Sequence, residues 1–249
     1  MHPPHVRQRA LDLRSAGVPF AAICADLGIP RDTIAGWLYR TRDKTPSDPD
    51  LRCPFCSRPA RPVDDPARYA YLLGMYLGDG HLLMTRRVPL LTVACDLRYP
   101  GIIAEIEAAM LACGARRVGH QRREGRDAVR ASWMHWPCLL PQHGPGSKHD
   151  RTIALAVWQR AVVDAFPGLF LRGLFHSDGC RTGNKVRRDG KVYAYPRYMF
   201  TNKSADIMRL CQEALDRCGV PWRMCSPIQL SVARREGVVV LDGVVGAKF

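Results

Sequence analysis

Leu72-Leu73-Gly74-Met75-Tyr76-Leu77-Gly78-Asp79-Gly80 and Leu171-Arg172-Gly173-Leu174-Phe175-His176-Ser177-Asp178-Gly179 are two copies of one pattern. Leu, Gly, Asp and Gly recur at matched places, with a small residue before each aspartate. Two further matches follow in the same order. Ala112-Cys113-Gly114-Ala115 answers Arg217-Cys218-Gly219-Val220, and Gly146-Ser147-Lys148 answers Gly246-Ala247-Lys248. The offsets are 99 residues between the aspartates, 105 between Gly114 and Gly219, and 100 between the lysines. Chance accounts for one nine-residue match; three ordered matches at a near-constant offset mark an internal duplication.

Each copy reads helix, two strands, helix, two strands. In the first copy, a helix over 69–79 precedes strands at His81–Arg87 and Leu90–Asp96, a helix over 100–112, and strands near Arg117–Arg122 and Val129–Trp133. In the second, a helix over 168–178 precedes a hairpin turning at Arg188-Asp189-Gly190-Lys191, where Asp-Gly signals a tight turn. A helix over 203–217 follows, with strands near Arg223 and Leu230–Ala233.

Gly74 and Gly78 are four apart and so share a helix face, as do Gly173 and Ser177. Glycine inside a helix costs about 1 kcal/mol relative to alanine, so two on one face need a reason. Close approach of a second helix supplies it, which predicts that the two helices pack on a pseudo-twofold axis. Asp79 and Asp178 then meet at the C-terminal ends, where each opposes the helix dipole and the other's charge. A hard divalent cation with oxygen ligands relieves both penalties.

These residues resemble a known family. The two blocks look like the paired signature helices of LAGLIDADG (DOD-type) homing endonucleases in the single-chain form, and the resemblance covers roughly residues 67–249. It implies an α+β fold: a pseudo-twofold saddle of two αββαββ units whose strands lie in the DNA major groove. It also implies a metal-dependent double-strand cut across the minor groove that leaves 3′ overhangs. Carried over by position, Asp79 and Asp178 are catalytic residues and ligands of Mg2+ or Mn2+. Lys148 and Lys248, after the last strand of each unit, take the place of the family's basic residue beside the cleavage centre. They would help polarise water or stabilise transition-state charge. His176 departs from the pattern, standing where the family more often has Asp or Glu, and reads as a packed imidazole. With no Cys or Ser at residue 1 and no His-Asn terminus, the expectation is a freestanding chain, not an intein.

The strand regions carry much of the positive charge. Arg86, Arg87, Arg122, Arg123 and Arg130 in the first half, and Lys185, Arg187, Arg188, Arg197, Arg234 and Arg235 in the second, are the candidate DNA contacts. Alternate strand positions face one side, so such residues can line a phosphate-binding surface, with arginine forks on guanine edges.

Ahead of the duplication, residues 7–42 read as a helix-turn-helix. A first helix runs through Ala10–Leu13 to Gly17, a second over Phe20–Leu27 stops at Gly28, and a third covers Arg31–Leu38. Ala22, Ile23, Leu27, Ile29, Ile34 and Trp37 form the expected core, and Arg31, Asp32, Gly36, Tyr39 and Arg40 the groove-facing set. Between the parts, residues 46–66 are a Pro-rich linker with Cys53-Pro54-Phe55-Cys56. That pair is half of a zinc knuckle, and a closed site needs four ligands. Zinc and an unliganded turn both remain open there. The expected domains are 1–45, the linker 46–66, half 1 over 67–167 and half 2 over 168–249.

Composition agrees with this reading. The 249 residues carry 37 Lys plus Arg against 23 Asp plus Glu, a formal charge of +14, which suits a polyanionic partner. Hydrophobic residues at 47% exclude a disordered chain. No apolar run approaches the roughly 20 residues of a membrane span. The N-terminus has no apolar signal region, and ten scattered cysteines suit reduced thiols in a cytoplasm, nucleoid-associated if bacterial. Fused halves imply a monomer. Two functions follow: a site-specific double-strand DNA endonuclease, or a catalytically silent transcription regulator on the same fold.

Overall fold

In the computed structural model, residues 4–35, 37–38, 63–85, 87–188, 190–246 and 248 are described. The chain divides into two units, residues 1–52 and 53–249. In the first, helices α1 (Pro4–Ser15), α2 (Phe20–Leu27) and α3 (Arg31–Ala35) close over Ala10, Ile23, Ile29 and Ile34. Gly28 ends α2 in the left-handed conformation, φ 61°, its N–H returning to the Cys24 carbonyl. That geometry is why glycine occupies the turn. Ala22, expected in this core, is exposed: it lies one position off the stripe that carries Ile23 and Leu27. Gly36, Tyr39, Arg40 and the Cys53/Cys56 pair lie outside the described residues.

The second unit is mixed α+β and carries the αββαββ order twice. The first copy is α4 (Pro66–Asp79), β1 (Gly80–Leu83), β2 (Leu90–Asp96), α5 (Pro100–Ala112), β3 (Gly119–Arg123) and β4 (Arg126–Ser132). Helices α6 (Trp136–Leu139) and α7 (Val157–Ala165) connect the halves. The second copy is α8 (Pro167–Asp178), β5 (Gly179–Arg188), β6 (Lys191–Thr201), α9 (Ala205–Arg217), β7 (Arg223–Ser226) and β8 (Gln229–Val232), closed by α10 (Arg235–Val244). The two antiparallel sheets have matching orders, β1-β2-β4-β3 and β5-β6-β8-β7.

Local chemistry sets these boundaries. Asp65 caps α4 by accepting from the Arg68 N–H at 2.9 Å, and Pro66 takes the first turn, where an N–H would be orphaned anyway. Ser204 caps α9 in the same way through the Ile207 N–H. In β2 and β4, Leu91, Val93, Val129 and Ala131 alternate onto the buried face. The first strand is shorter than expected, ending at Leu83 before a turn in which Thr85 Oγ1 bonds Val88. Arg234 and Arg235, expected on a strand, instead open α10. Val238, Leu241 and Val245 are buried at helical spacing, and that apolar stripe overrides the strand reading.

The core runs along α4, which is buried from Tyr69 to Leu77 on every side. Such a helix must be covered all round, and α8, α5, α7 and sheet one do so. Where α4 meets α8 there is no room for side chains. A Cβ on Gly74 would stand 2.8 Å from the Leu174 backbone nitrogen and 3.0 Å from the Gly173 carbonyl carbon. One on Gly173 would stand 2.9 Å from the Met75 nitrogen. The helix contact expected from the paired glycines is present, backbone against backbone.

Candidate active site

The contact delivers both aspartates to one place. Asp79 and Asp178 are the last residues of α4 and α8, and a Cβ on Gly78 would lie 3.0 Å from Asp178 Oδ2. Asp178 is oriented: Asn202 Nδ2 donates to its Oδ2 at 2.7 Å, while Asn202 Oδ1 accepts from the Ser204 N–H at 2.8 Å. Asp79 has no side-chain hydrogen-bond partner among the described residues, and its carboxylate is partly exposed. Burial, then the Asp178 charge, raises Asp79 to about 6. Burial also raises Asp178, against the pull of Asn202 and Lys148.

Lys148 stands in a short 3-10 turn, Lys148–Asp150, beyond α6. Its Nζ donates to the Tyr76 and Gly78 carbonyls, at 2.5 and 2.7 Å. It thus adds a charged donor to carbonyls at the end of α4, of which that of Tyr76 also accepts from the Gly80 N–H, and it complements the helix dipole. Burial lowers it to about 8, with Asp178 and then Asp79 holding it up. The turn is itself secured. Arg151 donates to the Gly144 and Gly146 carbonyls at 2.8 and 2.7 Å and to Gln142 O at 3.2 Å. Below it, buried Gln142, Gln159 and Tyr69 are joined by hydrogen bonds. Lys248 follows α10; burial lowers it, and Asp79 is the strongest of the charges opposing that shift. A cavity of about 620 Å³ opens beside Asp178, lined also by Lys148, Asn202, His81, His143, His149, Arg151 and Lys203.

The basic residues are divided by strand register. Arg130 and Arg123 share the face of β3 and β4 that points away from the helices, and Arg130 donates to Gln121 at 2.9 Å. Arg122 falls on the opposite face, where its Nε meets the fully buried Asp127 at 3.4 Å. In sheet two, Arg197 lies across from Thr182 on the outer face, and its Nε is buried with no partner among the described residues. Arg187 pairs with Val192 on the other pleat and is exposed. Arg31 stacks over the Phe20 ring at 5.5 Å, and Arg87 is exposed in the β1–β2 turn. Arg234 and Arg235 are exposed at the α10 N-terminus. Arg86, and the side chains of Lys185 and Arg188, lie outside what the structure describes.

His176 is buried and hydrogen-bonded to Tyr71 and to the Val245 carbonyl, the packed imidazole expected. Asn202, Arg151 and Tyr71 escaped sequence reading. Asn202 had one available signal, its place two residues before the Ser204 cap.

A divalent cation fits this donor set. Two carboxylates sit at the negative ends of two helices, and burial, then the neighbouring Asp178 charge, pushes Asp79 up to about 6, so a cation there would favour the charged form. Mg2+ is commonly held by one or two carboxylates plus waters and phosphate oxygens, so two suffice. Among the described residues no cluster of three or more His, Cys, Asp or Glu offers a closed metal cage.

A family model described as a LAGLIDADG-like domain matches residues 165–223, from the end of α7 through α8 to the start of β7. Over residues 165–223 the chain is LAGLIDADG-like. Solved structures of low identity are similar to most of the chain. A structure of I-DmoI in complex with DNA and Ca is 14% identical, with a TM-score of 0.46 over 73% of this chain and 91% of that one. The meganuclease I-AabMI bound to uncleaved DNA is 11% identical, TM-score 0.45, over 72% and 83%. The N-terminal LAGLIDADG domain of DUF199/WhiA is 12% identical, TM-score 0.44, over 73% and 83%. No curated protein matches the chain. Among the described residues, no helix is long and apolar enough to cross a membrane.

Proposed function

We propose that this chain is a site-specific double-strand DNA endonuclease that hydrolyses phosphodiesters with Mg2+ or Mn2+. The observation that carries the proposal is the convergence of Asp79 and Asp178 at the α4–α8 contact, with both lysines coupled to them. Asp79 and Asp178 would hold the metal, whose chemistry is to lower the pKa of a water and stabilise negative charge on phosphate. Lys148, lowered to about 8 and lining the cavity with Asp178, would donate to a phosphate oxygen as charge develops. Lys248, whose charge is felt by Asp79, would do the same there. Asn202 keeps the Asp178 carboxylate turned toward the cavity.

The duplex would lie against the outer faces of the two sheets, where Arg123, Arg130 and Arg197 stand. Arg122, turned toward Asp127, would hold the β3–β4 ribbon in shape rather than touch DNA. In the first unit, α3 with Arg31 would add a second contact of the helix-turn-helix kind. The chain would act as a monomer, since one polypeptide supplies both halves.

The direct test is digestion of a randomised duplex library in Mg2+, with sequencing of the ends. Enriched staggered ends, lost when Asp79 and Asp178 are both changed to Asn, are expected. Selective binding with no ends would overturn the nuclease reading in favour of a silent regulator.

A second expectation concerns pH without metal. The folded pKa of Asp79 is raised from 3.8 to about 6, so the folded state binds the extra proton. The stability this contributes is present below pH 4 and is lost as pH rises through 6. Melting temperature of the metal-free protein should therefore fall across that window from this group. Mg2+ should raise it far more at pH 7 than at pH 5; equal shifts at the two pH values would remove the aspartates from the binding site.

A further inference from the structure

The end of α10 is held by an arrangement that a helix cap alone does not need. The carbonyl of Val245, the residue that caps that helix, accepts from two side chains of α8: Arg172 Nη1 at 2.5 Å and His176 Nε2 at 3.0 Å. A carbonyl only accepts, so His176 carries its proton on Nε2 and takes a hydrogen bond at Nδ1 from the Tyr71 hydroxyl, 3.2 Å away. His176 is 4% exposed, and the two bonds use both ring nitrogens. Arg172 is fixed in turn, its Nε donating to both carboxylate oxygens of Glu105 at 2.8 and 3.0 Å. Residues of α4, α5 and α8 thus converge on one carbonyl. Lys248 is three residues further on.

We infer that Arg172 and His176 are positioning residues for Lys248: by gripping the Val245 carbonyl they fix the segment that brings this lysine to Asp79. The inference rests on the endonuclease reading. Two observations separate it from plain capping. The position matching His176 in the first copy is Leu77, so the polar grip belongs to the second half alone. Lys148 is held by a different network, Arg151 and the Gln142–Gln159 pair. The two lysines are therefore secured independently, and one can be displaced without the other.

The test measures the cutting rate of each strand separately, on a duplex labelled at both ends and carrying the site recovered from the library. His176→Leu, Arg172→Gln, His176→Gln and, as reference, Lys248→Met are compared with the unaltered chain. His176→Leu and Arg172→Gln should slow the strand that Lys248→Met slows, by on the order of 100-fold, and leave the other within about twofold. Nicked product then accumulates. His176→Gln, whose amide can still donate to Val245, should restore the balance. Partial unfolding lowers both strands alike, so equal slowing of the two, or no slowing, overturns the inference. Amide exchange over residues 241–248 is followed in the same variants. Should the unaltered chain cut neither strand, the endonuclease reading fails, and unchanged exchange there in His176→Leu overturns the positioning role as well.

Discussion

Gly74→Val leaves no folded second unit: soluble yield collapses, and the cooperative unfolding transition of residues 53–249 disappears. The obstruction is backbone. The first added carbon already stands 2.8 Å from the Leu174 nitrogen and 3.0 Å from the Gly173 carbonyl carbon, and neither can rotate aside. Valine adds two methyls to that clash, so α4 and α8 must separate along their buried length. Overpacking costs about 1–3 kcal/mol even where side chains can yield. Here the whole interface must move, against a total stability on the order of 5–15 kcal/mol. Gly74→Ala should fold with a large loss. Gly243→Ala is the control: it is also within a helix, with nothing within 4 Å of the added carbon. It should gain up to about 1 kcal/mol from helix propensity alone. Denaturant titration of the three variants reads the contrast, and equal behaviour of Gly74→Ala and Gly243→Ala would deny the close contact.

The second large effect has opposite signs in activity and stability. Changing Asp79 and Asp178 together to Asn should reduce cleavage at least about 10²–10³-fold while DNA binding persists. The carboxylates are few, and no third group among the described residues can replace them. Asn at 178 can still accept from Asn202 through its carbonyl, so the local geometry survives. Without metal, the same variant should be more stable than the parent at pH 7, since it no longer buries a charged carboxylate at 79 or sets a second one beside it. After discounting for the exposure of Asp79, the gain is on the order of 1 kcal/mol. Its melting temperature should no longer respond to Mg2+. Retained cutting, or lower stability, would mean that these carboxylates are structural.

Much of this was legible in the chain because the pattern is local and repeated. Gly74 with Gly78 and Gly173 with Ser177 are readable as a face at a spacing of four, and a helix made so narrow has few uses besides close packing. Alternation in Leu90–Asp96 and Val129–Trp133 gave strands for the same reason. The register of β3 was not legible. Arg122 and Arg123 are adjacent in sequence, and only pairing with β4 assigns one to Asp127 and the other to the outer face. Arg234 and Arg235 misled because a strand and a helix start share the same basic residues; the burial of Val238 and Leu241 decides for the helix.

By itself the sequence determined the duplication, the two narrow helices, the aspartates at their ends and the lysines one repeat apart. Each depends on periodicity and spacing, which are properties of a linear chain. Only the tertiary structure decided what surrounds them: Asn202 on Asp178, Arg151 and the glutamines under Lys148, and His176 with Arg172 on the Val245 carbonyl. Those partners lie from 5 to more than 70 residues away from the groups they hold. Nothing in the spacing of a chain records which distant polar group will satisfy a buried one; that is settled when the core closes and each buried donor and acceptor must find a partner.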